Sequence, residues 1–157
     1  MPRQFTPPAT EIAALWRRCG AIVYDSVVLI AIWMLSTFLV TAAFGIDNFH
    51  RENYSANFLL AYRTAMLLAL LASAWLFFGW FWTFSGQTLG MQAWKIRVQN
   101  RDGSAISWRQ ASLRYATAPF ALALLGIGYL WMLGDGERRT WPDIASGSTV
   151  VTIRKLS

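Results

Sequence analysis

The chain has 157 residues, of which 55% are hydrophobic and only 14% are charged, whereas a soluble domain is charged at about a quarter of its positions. The net charge of +6 comes from Lys and Arg residues between apolar blocks, a distribution that suits lipid headgroups and argues against nucleic acid as a partner. One Cys and one His exclude a disulfide framework and a Cys/His metal cluster within a single chain.

The first part of the chain predicts an interfacial tail followed by a transmembrane helix. Residues 1–18 hold prolines and arginines, and we expect them to lie on the membrane surface. Residues 19–44 form an apolar block in which about 20 uncharged residues follow Asp25, enough to cross a hydrocarbon core. The block is longer than the apolar region of a signal peptide, so it is predicted to be an uncleaved anchor.

A second transmembrane helix is predicted over residues 64–84. This block also lacks charge, and Trp75, Trp80 and Trp82 lie toward its end, where the headgroup level favours aromatic side chains. Residues 45–63 are polar and predict a loop between the two helices.

Residues 93–108 predict a small β-hairpin at the membrane surface. Apolar and polar residues alternate from Ala93 to Val98, and Asp102-Gly103 supplies the residues that a tight hairpin turn requires. Ser107 and Gln110 have the spacing of a capping box, which predicts the start of a helix.

The third apolar segment, residues 109–134, is long enough to span once, but it contains Pro119, Gly126 and Gly128. These residues weaken a regular helix, so a kinked span and a re-entrant hairpin are both open. We expect the segment to enter and leave the membrane on one side or to bend sharply at Pro119. Residues 135–157 form a polar tail with an alternating strand, Thr149 to Lys155. This strand loosely repeats the pattern around Ile96 to Val98, and the two could pair if they lie on one side of the membrane.

The distribution of basic residues predicts the sidedness, because positive charge is retained in the cytoplasm. By segment the basic residues are Arg3, Arg17 and Arg18 before the first helix; Arg51 and Arg63 in the first loop; Lys95, Arg97, Arg101, Arg109 and Arg114 in the second; and Arg138, Arg139, Arg154 and Lys155 in the tail. A cytoplasmic N-terminus and second loop follow. The tail also favours the cytoplasm, which favours a re-entrant third segment.

These patterns predict an all-α membrane protein that forms a single membrane domain over residues 1–157. Its predicted parts are two transmembrane helices, a third apolar segment that is a kinked span or a re-entrant hairpin, a small cytoplasmic β-hairpin and a C-terminal strand.

The first helix carries the chemistry that stands out most. Arg18 and Asp25 are two turns apart on one helix face, about 10 Å along the axis, too far for direct contact. An Asp in a membrane helix should face a polar partner or a wet crevice, and Arg114, Arg63 or a bent Arg18 are the candidate partners. Asp25 is therefore either a proton- or cation-binding carboxylate or a member of an ion pair that fixes helix packing.

Asp143 is a second candidate, able to cap a turn or to meet an arginine of the hairpin, although an exposed tail position would explain it equally well. The sequence holds no catalytic Ser/His/Asp order, no metal-ligand spacing and no phosphate-binding glycine loop. We therefore expect no enzyme activity, no cofactor and no metal site.

Three segments together resemble the RDD family of bacterial membrane proteins, named for one arginine and two aspartates. They are Trp16-Arg17-Arg18 followed by Asp25; Ser85-Gly86-Gln87-Thr88-Leu89-Gly90 leading to Lys95-Ile96-Arg97-Val98; and Trp141-Pro142-Asp143 with Ala145-Ser146-Gly147 and Val150-Val151. The resemblance assigns the family arginine to Arg18 and its aspartates to Asp25 and Asp143. It implies an integral membrane protein with a transport-related role and no assigned substrate.

The expected function is transport of ions or small solutes in the bacterial inner membrane, with Asp25 as the titrating group. Two or three helices enclose a path poorly, so a homo-oligomer or a membrane protein partner is expected in addition to the lipid bilayer. The alternative is a non-transporting scaffold whose hairpin and tail bind a protein partner.

Overall fold

The computed structural model describes residues 4–5, 11–45, 54–124 and 126–153. Residues 1–3 and 6–10 of the predicted interfacial tail, the loop around His50 and the basic residues Arg154 and Lys155 lie outside these ranges. The chain divides into two units: a hairpin unit, Ser26–Leu76, and a sheet unit, Met1–Asp25 with Phe77–Ser157.

Two long helices, α1 (Leu15–Phe44) and α2 (Ala56–Phe84), are apolar and long enough to cross a membrane. Both begin before the predicted blocks. The predicted blocks begin after charged residues, whereas the helices continue through Arg17 and Arg63 because arginine has a high helix propensity. The two predicted transmembrane helices are confirmed.

The hairpin unit consists of the facing parts of α1 and α2. The indole N–H of Trp33 donates a hydrogen bond to the carbonyl oxygen of Leu70 at 3.0 Å, and the hydroxyls of Thr41 and Tyr62 are 3.0 Å apart. These pairs show that the helices run antiparallel. Apolar side chains such as Met34, at 70% exposure, point away from the unit, as expected for lipid contact.

The sheet unit has a small apolar core in which Trp82 packs with Ile96, Val98, Ile106 and Val150. Besides the ends of α1 and α2, its elements are α3 (Leu89–Ala93), β1 (Ile96–Gln99), α4 (Trp108–Ala123), α5 (Ile127–Leu130), a 3-10 turn (Trp131–Leu133), α6 (Trp141–Ser146) and β2 (Thr149–Thr152).

The two strands pair with each other, antiparallel, with Val98 opposite Val150. The local hairpin predicted over residues 93–108 is therefore wrong in its second strand. The turn itself forms, because Gly103 takes the left-handed conformation and the N–H of Asn100 bonds the carbonyl of Ser104. The chain after it enters α4 instead of returning along β1, and the C-terminal strand takes that place, as the repeat had indicated.

The third apolar segment is a bent pair of helices. The axes of α4 and of the segment Ile127–Leu133 meet at 108°. A capping box of Ser107 and Gln110 starts α4, as predicted. Pro119 lies inside α4, so a sharp bend at Pro119 is wrong; the direction changes near Gly126, whose left-handed conformation a residue with a side chain rarely adopts. The predicted fold class is confirmed.

Candidate functional site

Asp143 is the centre of a buried ion cluster in the sheet unit. One carboxylate oxygen lies 2.5 Å from a guanidinium nitrogen of Arg18, and the other lies 2.8 Å from Arg114. All three residues are at most 5% exposed. The interpretation of Asp143 as an exposed tail residue is therefore wrong, because α6 places its first turn against α1 and α4.

The same carboxylate also caps α6. The backbone N–H of Thr140, the residue that precedes the helix, donates to Asp143 at 3.0 Å. Such a cap satisfies a backbone donor that the helix itself leaves unpaired. Asp143 thus accepts hydrogen bonds from a helix end and from two arginines at once.

Both arginines have further partners that fix their position. Arg18 donates through Nε to the carbonyl of Ala13 at 3.1 Å, and Arg114 donates to the hydroxyl of Ser148 at 2.6 Å. The guanidinium of Arg114 lies over the ring of Trp82, 5.5 Å from its centroid. The cluster therefore joins the start of α1, the second turn of α4 and the segment from α6 to β2.

The electrostatics of Asp143 follow from burial and from the two arginines. Burial by itself raises the pKa of the carboxyl group, but the positive charges of Arg114 and Arg18, with the hydrogen bonds from Arg18 and Thr140, outweigh it and lower the pKa below its ordinary value. Asp143 is ionised at neutral pH. Two guanidiniums and one carboxylate leave one positive charge in the cluster. The phenol of Tyr129 lies within electrostatic range of all three groups.

Asp25 occupies a separate polar site, about two turns further along α1 than Arg18. Its carboxylate accepts a hydrogen bond from the hydroxyl of Thr88 at 2.5 Å and one from the backbone N–H of Gly90 at 2.8 Å. Thr88 in turn accepts from the N–H of Met91 at 3.2 Å. Asp25 is 4% exposed, so these donors replace the water that the carboxylate loses.

The predicted arginine partner of Asp25 is not found among the residues that the structure describes. The reason is geometric. Arg18 forms its ion pair with Asp143, and the segment after α2 packs Gly90 against α1 next to Asp25. A Cβ on Gly90 would meet the backbone oxygen of Ala21 and would lie 2.9 Å from the carboxyl carbon of Asp25. Only glycine allows this approach.

The structure thus brings Arg18, Arg114 and Asp143 together and places Asp25 beside Thr88 and Gly90. Arg63 belongs to the hairpin unit. Roles for Thr88, Gly90 and Ser148 were not predicted from the sequence. Thr88 and Gly90 lie in the central motif, so the signal was present, but nothing in their spacing says that they face the first helix.

A groove of about 490 Å³ opens over the ion cluster. Asp143 and Ser148 lie at its inner end, and Arg101, Glu137 and Arg139 lie along its walls. Further lining residues are Ile12, Gln99, Ile144, Gly147, Thr149 and Val151. In the part of the chain that the structure describes, no three His, Cys, Asp or Glu side chains converge as metal ligands.

Comparison with known protein families gives a match. The model of the RDD family matches residues 12–147, a range that includes Arg18, Asp25 and Asp143. No curated protein and no solved structure matches the chain significantly. Since the match covers most of the chain and its two long apolar helices agree with a membrane location, the chain is an integral membrane protein that belongs to the RDD family.

Proposed function

We propose that this protein takes part in moving ions or small solutes across the membrane, with Asp25 as the proton- or cation-binding group and without enzyme activity. The observation that carries the proposal is a buried carboxylate on the first membrane helix whose partners belong to the segment that follows the second. A buried charged group in a membrane helix is costly and is commonly used for ion handling.

The hydrogen bonds of Asp25 indicate how ion binding would act on the protein. Both of its partners donate to it, so the arrangement fits the ionised carboxylate. A proton or a cation on the carboxylate oxygen that faces Thr88 competes with the hydroxyl for that oxygen. Binding there would weaken the contact between α1 and the start of α3, and would release the segment that joins α2 to β1.

A complete path requires more than one chain. Two spanning helices enclose no channel by themselves, so we propose that the protein acts as a homo-oligomer or with a membrane protein partner. We also propose that it resides in a bacterial inner membrane with its N-terminus in the cytoplasm, because the basic residues are concentrated up to the first turn of α1 and after α2.

A scaffold role through the predicted hairpin has less support. A docking strand needs a free edge, and both edges of the two-stranded sheet are occupied. The N–H of Val98 bonds the carbonyl of Gly86 on one side, and the N–H of Ala13 bonds the carbonyl of Val150 on the other.

The test is cation flux driven by a pH gradient in proteoliposomes that contain the wild type or Asp25→Asn. We expect the variant to lose most of the flux above empty liposomes, because the amide binds neither a proton nor a cation at neutral pH. Glu11→Gln is the matched control, since it removes an exposed carboxylate and should leave the flux unchanged. Equal flux in wild type and Asp25→Asn would remove Asp25 from the mechanism.

A further inference from the structure

Two arginines on the walls of the groove converge on one carboxylate. Arg101 follows β1 and Arg139 precedes α6, yet both form ion pairs with the same oxygen of Glu137; the pair with Arg139 is 3.2 Å long. Guanidiniums are the groups with which proteins commonly bind carboxylates and phosphates, and a bidentate pair with Asp135 holds that of Arg139 in place. An anion at the position of the Glu137 carboxylate would therefore meet both arginines.

The charge in and behind the groove also favours an anion. The ion pairs form two groups. On the walls, Arg101 and Arg139 are balanced by Asp135 and Glu137. Behind them, the buried ion cluster around Asp143 keeps one positive charge. Asp143 offers little to a cation from the groove, because its side chain is buried and its oxygens already face two arginines.

The groove has room for a small ligand, and Glu137 can give way to it. A volume of about 490 Å³ lies in the range of small-molecule sites. The side chains of Arg101 and Glu137 are 68% and 52% exposed, and an ion pair that solvent reaches contributes little. The apolar walls, including Ile144 and Val151, favour a ligand with some apolar surface next to its charge.

We infer that this groove is a binding site for a small anion that carries a carboxylate or phosphate group, held by Arg101 and Arg139 in the place of Glu137. The inference does not rest on the transport proposal, since it concerns binding at an exposed groove and not the carboxylate on the first membrane helix.

The experiment is calorimetric titration of the full chain in neutral detergent with inorganic phosphate and, separately, with succinate, at ionic strength matched with chloride. The double variant Arg101→Ala/Arg139→Ala should bind about tenfold more weakly, since two charged contacts are lost and each solvent-reached contact is worth up to about fivefold. Glu137→Gln should bind several-fold more tightly, because the competing carboxylate is gone. Arg109→Ala, which removes an exposed arginine outside the groove lining, is the control and should bind as the wild type does.

Two further arms distinguish the source of the anion. In phosphatidylcholine nanodiscs the titration should match that in detergent. A weaker phosphate affinity in nanodiscs with phosphatidylglycerol assigns the site to a lipid headgroup, and an unchanged affinity assigns it to a soluble anion. No binding by the wild type, or the same loss in Arg109→Ala as in the double variant, would overturn the site. Either outcome leaves the flux test of Asp25 unaffected.

Discussion

Asp143 illustrates how a chain with few charges buries one of them. Its carboxylate is far in sequence from Arg18, yet the two form a short ion pair, and Arg114 takes the remaining oxygen. Each charge would be costly alone in an interior of low polarity. Their pairing and the cap on Thr140 offset much of this cost, with one positive charge left over, and they connect the first helix to the C-terminal part of the sheet unit.

Asp143→Asn should therefore destabilise the protein strongly. The amide leaves Arg18 and Arg114 facing each other without a counter-charge, and removal of one member of a buried ion pair typically costs about 3–5 kcal/mol. The measurement is thermal unfolding in detergent, monitored as the loss of the monodisperse peak. Glu137→Gln, which breaks only exposed pairs, should shift Tm little.

The Tm difference between wild type and Asp143→Asn should depend on pH, and the pKa of Asp143 sets the direction of that dependence. The pKa of Asp143 is lower in the folded protein than the ordinary value of about 3.9, so its stabilisation is complete above that value and is lost as the pH falls through the folded pKa. The Tm difference between wild type and Asp143→Asn should stay constant near neutral pH and shrink below about pH 4. A difference that is small at pH 7 would contradict the role of the cluster.

At the scale of elements, the sequence predicted what depends on local patterns. The two spanning helices and the capping box at Ser107 follow from apolar length and from residue spacing, and both are present. The strand partner of β1 lies about 50 positions away, and periodicity does not encode such a pairing; only the loose repeat between the two segments pointed to it. The partners of Asp25 were missed for the same reason, since Thr88 lies 63 positions further along the chain, in the segment after α2.

A substitution at Gly90 tests the contact between α3 and α1. Gly90→Ala should lower the stability by about 1–3 kcal/mol, because the added methyl group meets the backbone of Ala21 and the carboxylate of Asp25, and neither can move freely. The helix preference of alanine would predict the opposite sign. Gly136→Ala is the control, since a Cβ there meets nothing within 4 Å. Equal Tm values for the two variants would argue against close contact between α3 and α1.

At the scale of the whole molecule, the pairing within the sheet unit constrains the membrane topology. The chain enters α1 just after Ile12, which bridges to Val151, and it leaves α2 shortly before β1, which pairs with β2. If α1 and α2 each cross once, these three segments lie on one side. The third apolar segment must then return to the side from which it started.

The length of α4 supports the same conclusion. Arg114 is held in the ion cluster, and only about nine residues of α4 follow it, roughly 14 Å of helix against a hydrocarbon core of about 30 Å. The change of direction near Gly126 then turns the chain back. The end of α4 and the segment after it expose apolar side chains, such as Phe120 at 69% and Leu133 at 72%, as expected for a segment that dips into lipid.

We therefore expect both termini in the cytoplasm. A fluorescent protein fused after Ser157 should fluoresce, and alkaline phosphatase at the same position should be inactive, because the enzyme folds only after export. Fusions after Gly45, at the end of α1, should show the reverse and serve as the matched control. An active phosphatase at the C-terminus would mean that the third segment spans the membrane. In the membrane-embedded protein, β2 would then have to separate from β1 and from Ile12.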